Sequence, residues 1–381
     1  MSKIKILKAA TYYPDFISEV YLKKIFDPQL DYAANHKKLM DTCCAWSDFW
    51  KINLEALGEF EVQETVFNVE ELQKKWAKEN DFKYDQQDWK QSIYTEQIRV
   101  FQPDILVMQD MYHHAHYLTN LKKVIPSIKL IVGWDGILFH NKETFLDCDL
   151  ILTCVQDTCD YYESFGFKTH FFKFGFETEL LKKLKQNHEK YPVSFVGSLH
   201  LGPGYHLNRL KLISHIVSNV DMNIWAASFD YQWKLYSPHQ IRRMMDFKFS
   251  LVYDIYKVAK RNKGMLFGID MFQTLHDTKI TFNSHGENSP KKAANMRLFE
   301  ATGVGTCLLT DWKENLSDFF VPDVEVVTYK TKEEAVDKIK YLLNNEAERK
   351  KIADAGQKRT LENYSYQLRM IEIASLFKSM L

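Results

Sequence analysis

The chain enters a second predicted sheet at Val193-Ser194-Phe195-Val196-Gly197-Ser198, an apolar run that stops at Gly-Ser. A short apolar run bounded by turn residues is typical of a buried strand. A helix pattern follows at residues 209–217 and another strand pattern at residues 222–226. Because strands that alternate with helices indicate βαβ units, this half of the chain is predicted to be an α/β domain with a parallel sheet.

The same alternation occurs in the first half, where Ile4–Ala10 and residues 104–109 have strand patterns. A charged segment at residues 182–190, where the apolar periodicity stops, is the candidate linker between the halves. We therefore predict two facing, doubly wound, Rossmann-like domains, with bounds 1–188 and 189–363 and a helix at 364–381. Parallel sheets of this kind bind ligands at the carboxyl ends of their strands, here expected in the cleft between the domains.

Composition limits the function classes. The 381 residues are too many for one ordinary hydrophobic core. Lys+Arg and Asp+Glu both number 50, and this zero net charge argues against a general affinity for nucleic acid or acidic membranes. The six cysteines contain no CxxC pair and no His/Cys cluster with zinc spacing, so no metal site is expected.

The N-terminus alternates Lys with apolar residues, which is a strand pattern rather than a signal peptide. No apolar run approaches the ~20 residues that a membrane-spanning helix requires. With thiols that suit a reducing compartment, these features predict a cytoplasmic protein without a transmembrane segment. Peripheral membrane contact stays open.

Two segments at predicted strand ends suit phosphate or sugar binding. Gly197-Ser198 leads toward a helix and can present backbone N–H groups to a phosphate, although an ordinary strand-to-helix turn has the same appearance. His285 lies beside a glycine in a polar loop. Such a histidine can approach a bound sugar or pyrophosphate, and a solvent-exposed turn is the alternative.

A third segment is Asn295-Met296-Arg297-Leu298-Phe299-Glu300, followed by Gly303 and Gly305. Residues 293–302 have a helix pattern, and on a helix Arg297 and Glu300 share one face. Arginine clamps phosphate oxygens in a fork, and a carboxylate can accept both ribose hydroxyls. The alternative is a plain ion pair between the two side chains.

Residues 275–311, with Arg297-Leu298-Phe299-Glu300-Ala301 and Gly303-Val304-Gly305 at their centre, resemble the C-terminal domain of GT-B glycosyltransferases. The likeness is greatest to the CgeB-like, group-1 branch found in bacterial surface-polysaccharide clusters. It covers most of the chain, is specific for residues 265–360 and is weak in the first half.

The resemblance implies a GT-B fold in which residues 1–188 bind the acceptor, residues 189–363 bind the donor, and the helix at 364–381 crosses back to the first domain. It implies a metal-independent, hexosyltransferase-type enzyme, with retention expected, that needs no cofactor. The donor would be a nucleotide sugar such as a UDP-sugar, and the acceptor a glycan, a lipid-linked molecule or a protein.

By position in the resemblance, Glu300 would hold the ribose, and Asn295 belongs to the same donor-binding group. Backbone groups near Gly197-Ser198 and Gly303 would lie near the pyrophosphate, and His285 and Arg297 would contact the diphosphate or sugar. One departure concerns the two glutamates, separated by seven residues, of many retaining relatives. Lys292 stands eight positions before Glu300, where the first of them would be.

Sugar transfer needs cationic or N–H groups that stabilise the leaving diphosphate, a role expected of Arg297, His285 and Arg209. An inverting enzyme also needs a base for the acceptor hydroxyl. Asp135, at a predicted strand end, is the catalytic candidate for that role. The sequence does not separate it from three others or from a loop hydrogen-bonding role, the others being Asp110, His113 and His114.

Two other function classes stay open on the sequence. A sugar-nucleotide epimerase of the same fold would form product from the donor alone. A non-enzymatic sugar-binding protein of the periplasmic type is disfavoured by the absence of a signal-peptide pattern.

Overall fold

A computed structural model of the chain describes residues 2–136, 141–186, 189–201, 206–229, 249–286 and 290–381. It divides into two compact units, Met1–Glu177 together with Tyr366–Leu381, and Thr178–Ser365, here called the N-terminal and C-terminal units. The division falls earlier in the chain than the charged segment at which the sequence predicted it. The reason is that Phe176 O accepts from Tyr366 N at 3.0 Å, and Asn53 Nδ2 donates to Glu177 Oε2 at 2.6 Å.

The N-terminal unit contains a parallel sheet of strand order β2-β1-β3-β4-β5-β6. Its strands are β1 Ile4–Ala10, β2 Phe60–Val66, β3 Ile105–Met108, β4 Leu130–Asp135, β5 Leu150–Thr153 and β6 Thr169–Phe171. Its helices are α1 Pro14–Leu22, α2 Tyr32–Asp41, α3 Phe49–Glu55, α4 Glu70–Glu79, α5 Trp89–Phe101, α6 Met111–His114, α7 Leu121–Val124 and α8 Gln156–Glu163.

Apolar runs become buried strands in this unit. All four residues of β3 are buried, as expected for a strand of a parallel sheet covered on both faces. The last helix of the chain, Tyr366–Met380, also belongs to this unit, where the ring of Tyr366 packs against that of Phe49 on α3 at 5.3 Å. The predicted return of the C-terminal helix to the first domain is confirmed.

The C-terminal unit contains a parallel sheet of strand order β11-β10-β9-β7-β8. Its strands are β7 Tyr191–Ser198, β8 Met222–Ala227, β9 Thr278–Phe282, β10 Cys307–Asp311 and β11 Val327–Tyr329. Its helices are α9 Leu180–Lys183, α10 Leu207–Val217, α11 Phe249–Arg261, α12 Gly268–His276, α13 Arg297–Gly303, α14 Lys332–Asn344 and α15 Glu346–Asn363, and Tyr366–Met380 is α16.

Helix α13 begins at Arg297, four residues later than the sequence pattern predicted. The segment before it is held in a turn by one side chain, because Asn315 Oδ1 accepts from Ala293 N at 2.6 Å and Asn315 Nδ2 donates to Ala293 O at 3.2 Å. Asn295 therefore lies in the loop that enters the helix, not on the helix itself.

Both sheets reverse their strand order beside their first strand. In the N-terminal unit β1 has β2 on one side and β3 on the other, and in the C-terminal unit β7 has β8 and β9. Ligands of doubly wound sheets bind at the carboxyl ends of the strands at such a reversal point. In the described part of the chain, no helix has the length and apolar character needed to cross a bilayer.

Candidate functional site

The carboxyl edge of the C-terminal sheet collects polar residues at its reversal point. Ser198 ends β7, Asn283 and His285 follow β9, and Asp311 ends β10. Parallel pairing of β7 with β9 and of β9 with β10 brings these strand ends to one edge. The edge is therefore the candidate ligand site of this unit.

His285 and Asp311 form a hydrogen-bonded polar pair at this edge. His285 Nδ1 lies 2.7 Å and its backbone N lies 3.0 Å from Asp311 Oδ1, and the imidazole is 1% exposed. Burial alone would raise the pKa of the Asp311 carboxyl, but the adjoining imidazole and the Lys313 ammonium, 3.1 Å away, hold it well below its usual range. The carboxylate is thus charged and fixes the proton of His285 on Nδ1, because a carboxylate can only accept.

Two acceptors at this edge are left for a ligand. His285 Nε2 and Asn295 Oδ1 are buried and have no hydrogen-bond partner among the described residues. Asn295 is held by its other side-chain atom, because Nδ2 donates to Asn283 Oδ1 at 3.0 Å, and Asn283 Nδ2 in turn donates to Thr310 Oγ1 at 2.9 Å. Since buried polar atoms are normally satisfied, these two atoms suit the hydroxyl groups of a bound ligand.

Arg297 and Glu300 contact each other on α13. Nη1 of Arg297 lies 2.9 Å from Oε2 of Glu300, and the side chains are 13% and 11% exposed. Both terminal nitrogens of Arg297 also lie 3.3 Å from the sulfur of Met271. The ion pair that the sequence left open as the alternative is therefore formed, and it orients one carboxylate oxygen of Glu300.

Arg209 extends from α10 to the end of β7. Its Nη1 donates to Ser198 O at 2.9 Å, which joins two predicted site residues, and lies 3.1 Å from His206 Nε2. His206 Nδ1 accepts from His200 N at 3.0 Å. A neutral imidazole that accepts on Nδ1 carries its proton on Nε2, so two N–H donors face each other.

His206 was not predicted from the sequence, since only its contact with Arg209 marks it. Burial and the Arg209 charge lower the pKa of its imidazole to about 3, so it is neutral near pH 7. An anion that bridges Nε2 of His206 and Nη1 of Arg209 from one side would accept from both groups, which favours a phosphate near the end of β7.

The predicted role of Gly303 near a pyrophosphate is corrected by the direction of α13. This helix leaves the carboxyl edge near Asn295 and ends at Gly303, whose carbonyl accepts from Gln357 Nε2 at 3.1 Å. Thr306, just beyond, donates through Oγ1 to the carbonyl of Thr278, the first residue of β9. Gly303 and Gly305 therefore lie at the amino edge of the sheet, away from the residues described above.

Asp135, the catalytic candidate of the first half, is fully buried at the end of β4. Its Oδ2 accepts from Tyr162 OH at 2.8 Å and its Oδ1 from Tyr112 OH at 3.2 Å. Burial, followed by the Asp135 charge, raises the pKa of both phenols, which remain donors. This geometry argues for a structural role of Asp135 and against its use as a base toward a substrate.

The reversal point of the N-terminal sheet carries Asp110, which follows β3. Its Oδ2 accepts from Thr11 Oγ1 at 2.7 Å, and its Oδ1 lies 3.0 Å from His113 Nδ1. The imidazole of His113 is 78% exposed. His114, by contrast, is buried against Phe67 at 4.3 Å, and burial lowers the pKa of its imidazole to about 4.

Comparisons with known proteins give one matching family and several structures of similar fold. A family model described as glycosyl transferase-like matches residues 178–375. The HepE protein of Anabaena in complex with UDP-glucose is similar with a TM-score of 0.62 and 11% identity, over 99% of this chain and 100% of that chain. A glycosyltransferase from Rickettsia africae gives a TM-score of 0.60 and 10% identity, over 100% of this chain and 99% of that one.

A putative UDP-N-acetylglucosamine 2-epimerase from Listeria monocytogenes is also similar, with a TM-score of 0.51 and 13% identity over 99% of this chain and 96% of that one. No curated protein sequence matches the chain. At such identities the structural likeness shows the fold alone, and it confirms the predicted GT-B class with two Rossmann-like domains. These matches do not single out the CgeB-like branch.

Proposed function

Because the chain belongs to the glycosyl transferase-like family, we propose that it moves a sugar from a nucleoside-diphosphate sugar to an acceptor hydroxyl. The observation that carries the proposal is the carboxyl edge of the C-terminal sheet. There the hydrogen-bonded pair His285–Asp311 and the unpartnered acceptor of Asn295 lie at the reversal point. A site that offers both acceptors and cations suits a molecule that carries hydroxyls and phosphates.

The diphosphate would bind at the end of β7. Arg209 and His206 bring two N–H donors to within 3.1 Å of each other, and a diphosphate oxygen could accept from both. Preorganised donors of this kind stabilise the charge that develops on the leaving group. We propose that they do so without a metal ion.

The sugar and ribose hydroxyls would be held by acceptors on the other side of the reversal point. His285 Nε2 and Asn295 Oδ1 are two buried acceptors that hydroxyl groups can satisfy. We assign the ribose to Glu300, whose carboxylate is oriented by Arg297 at 2.9 Å. A carboxylate that accepts ribose hydroxyls is the arrangement used in dinucleotide-binding sheets.

The class of sugar donor is proposed by analogy with a structure of the same fold. The HepE structure contains UDP-glucose, so we propose a UDP-hexose as the first donor for this chain and hexosyl transfer as the reaction. A glycan, lipid-linked or protein acceptor in bacterial surface-glycan synthesis is the proposed setting, as in the CgeB-like branch. The six free cysteines support a reducing, cytoplasmic location.

The proposal is tested by thermal unfolding of the chain in the presence of UDP-, GDP- and dTDP-sugars with EDTA. The cognate donor should raise the midpoint, because a ligand at 100 times its dissociation constant adds about 2.7 kcal/mol of stability. Mass spectrometry should then detect slow release of the free nucleoside diphosphate. Absence of protection by every sugar nucleotide would refute the proposal, and conversion of the donor to an isomeric sugar nucleotide would replace transfer by epimerisation.

A further inference from the structure

Two hydrogen-bond relays end at the buried acceptors that face a ligand at the carboxyl edge of the C-terminal sheet. These acceptors are His285 Nε2 and Asn295 Oδ1, which have no hydrogen-bond partner among the described residues. The short relay joins His285 to Asp311, and the long relay joins Asn295 through Asn283 to Thr310. All of these residues lie in the C-terminal unit. Because Thr310 and Asp311 are consecutive at the end of β10, both relays begin at one point of the sheet.

The short relay fixes the tautomer of His285. Nδ1 lies 2.7 Å from Oδ1 of Asp311, and a carboxylate can only accept, so the proton of the neutral imidazole is on Nδ1. The backbone N of His285 donates to the same oxygen at 3.0 Å, which holds the carboxylate in place. In the neutral ring Nε2 therefore presents a lone pair, which accepts a hydrogen bond and does not donate one.

The long relay fixes the direction of two side-chain amides. Thr310 Oγ1 donates to Oδ1 of Asp311 at 3.4 Å, which leaves the lone pairs of the hydroxyl for Asn283 Nδ2 at 2.9 Å. The acceptor end of that amide, Asn283 Oδ1, receives the proton of Asn295 Nδ2 at 3.0 Å. Since each amide has one donor end and one acceptor end, the orientation of the first sets that of the second. Oδ1 of Asn295 is therefore the end that faces a ligand.

The opposite direction of the long relay is disfavoured by the charge of Asp311. With both amides turned over, the Thr310 hydroxyl would have to donate to Asn283 Oδ1, and its single proton would be lost to Asp311. A charged acceptor forms the stronger hydrogen bond, so the carboxylate keeps this proton. Thr310 and Asn283 are both buried, and Tyr329 OH donates to the backbone carbonyl of Asn283 at 2.9 Å. The relay is thus held on both its side chains and its backbone.

We propose that Asp311, through these two relays, makes both open positions hydrogen-bond acceptors, and that they read two hydroxyl groups of the donor sugar. This inference rests on the proposed function. An ionised diphosphate presents acceptor oxygens only, so it does not satisfy Nε2 of His285 or Oδ1 of Asn295. The ribose is assigned to Glu300, which leaves the hydroxyl groups of the sugar.

The proposed polarity selects a class of donor. A sugar nucleotide that lacks one of the two hydroxyl groups would leave a buried acceptor unpaired, and sites that bind a hydroxyl group in this way reject analogues without it. The donor is therefore a hexose that carries hydroxyl groups at both positions, and a sugar that is deoxygenated at either of them is excluded.

The first test measures the Kd of UDP-glucose and of its four monodeoxyfluoro analogues, one for each hydroxyl group of the glucose, by isothermal titration. Fluorine keeps the size of the group but does not donate a hydrogen bond. Two of the four analogues should bind about 5- to 150-fold more weakly than UDP-glucose, because each leaves one buried acceptor unpaired. Fewer than two weakened analogues would overturn the inference.

The second test breaks the long relay without removing the acceptor itself. Thr310→Val keeps the shape of the side chain but loses the lone pairs that accept from Asn283. It should raise the Kd for UDP-glucose by roughly 5- to 150-fold and leave the Kd for UDP unchanged, which also shows that the variant is folded. Thr310→Ser, which keeps the hydroxyl, should restore tight binding. Thr281→Val is the matched control, because Thr281 is buried on β9 and its hydroxyl lies 3.4 Å from Thr306 Oγ1, outside both relays.

Double variants show whether Thr310 acts through Asn295. Asn295→Leu removes the acceptor, and the combination of Asn295→Leu with Thr310→Val should bind UDP-glucose no more weakly than Asn295→Leu alone. Asp311→Asn should weaken the binding of UDP-glucose more than Thr310→Val does, because it releases both relays. Additive losses in the double variant would show that Thr310 supports the fold generally and would overturn the inference.

A second outcome separates this inference from the proposed function. If Thr310→Val weakened UDP as much as UDP-glucose, or weakened neither, the relay would not read the sugar, and the proposed function would remain. Where the thermal screen selects a GDP- or dTDP-hexose, the same comparison uses that sugar nucleotide and its nucleoside diphosphate. Failure of every sugar nucleotide to bind the unmodified chain would overturn both.

Discussion

Replacement of Glu300 by Gln tests the assigned ribose contact most directly. The change keeps the size of the side chain but removes its charge at a position where the carboxylate is 11% exposed and lies 2.9 Å from Nη1 of Arg297. If Glu300 accepts a ribose hydroxyl, the variant loses a charge-assisted hydrogen bond of about 1.5–3 kcal/mol. That loss corresponds to a Kd for UDP roughly 10- to 150-fold higher than in the unmodified chain.

Isothermal titration of both proteins with UDP measures this difference. Glu333→Gln is a suitable control, because it removes the same charge from the same unit. The side chain of Glu333 is 62% exposed on α14. The control should bind UDP as the unmodified chain does. If Glu300→Gln also kept its Kd within twofold, the carboxylate would serve only the ion pair with Arg297, and the assignment of the ribose would be wrong.

Asp311→Asn should flatten the acid dependence of stability. The pKa of Asp311 is depressed in the folded chain, so its stabilising contribution is present above the unfolded-state pKa and is lost as the pH falls through the folded value. Melting temperatures from pH 7 to pH 3 should fall less steeply in the variant, and an unchanged slope would contradict the charge assigned to the pair. Gly305→Ala should destabilise the chain by at least ~1–2 kcal/mol, because Gly305 has φ +83° and a Cβ would lie 2.9 Å from Gln357 Nε2. The Kd of the Gly305→Ala variant for UDP should not change, because this turn lies at the amino edge of the sheet. Weaker binding of UDP would instead show that Gly303 and Gly305 lie near the ligand.

The fold could be predicted because central strands such as β3 are continuous apolar runs. The run at β3 is buried at every position, and the polar residues that follow it are the ones that reach the edge of the sheet. The position of Gly303 could also have been predicted from the direction of its helix. A helix that connects two parallel strands starts at the carboxyl edge and ends at the amino edge, so only its first residues, near Arg297, can reach a ligand.

Other features depend on contacts that no local pattern encodes. The late start of α13 results from the side chain of Asn315, which binds both backbone groups of Ala293 from a later loop. The sequence predicted that Asp135 lies at the carboxyl end of a strand and faces a ligand. Instead, Tyr162 on α8 donates to its carboxylate, which is buried in the core. His206 is recognised as a candidate ligand-binding residue only through its contact with Arg209, which lies 3.1 Å away.

The two reversal points differ in the charges that they present, and this difference separates their chemistry. At the C-terminal sheet, the guanidinium of Arg209 lies by the end of β7 and the ammonium of Lys313 by the end of β10, which suits a ligand that carries phosphates. At the N-terminal sheet, the carboxylate of Asp110 lies 3.0 Å from Nδ1 of His113, and a carboxylate beside an imidazole suits a ligand with neutral hydroxyl groups. A diphosphate would be repelled by the carboxylate of Asp110, whereas a neutral hydroxyl group can donate a hydrogen bond to it. The charges therefore support the proposal that the donor binds in the C-terminal unit and the acceptor in the N-terminal unit.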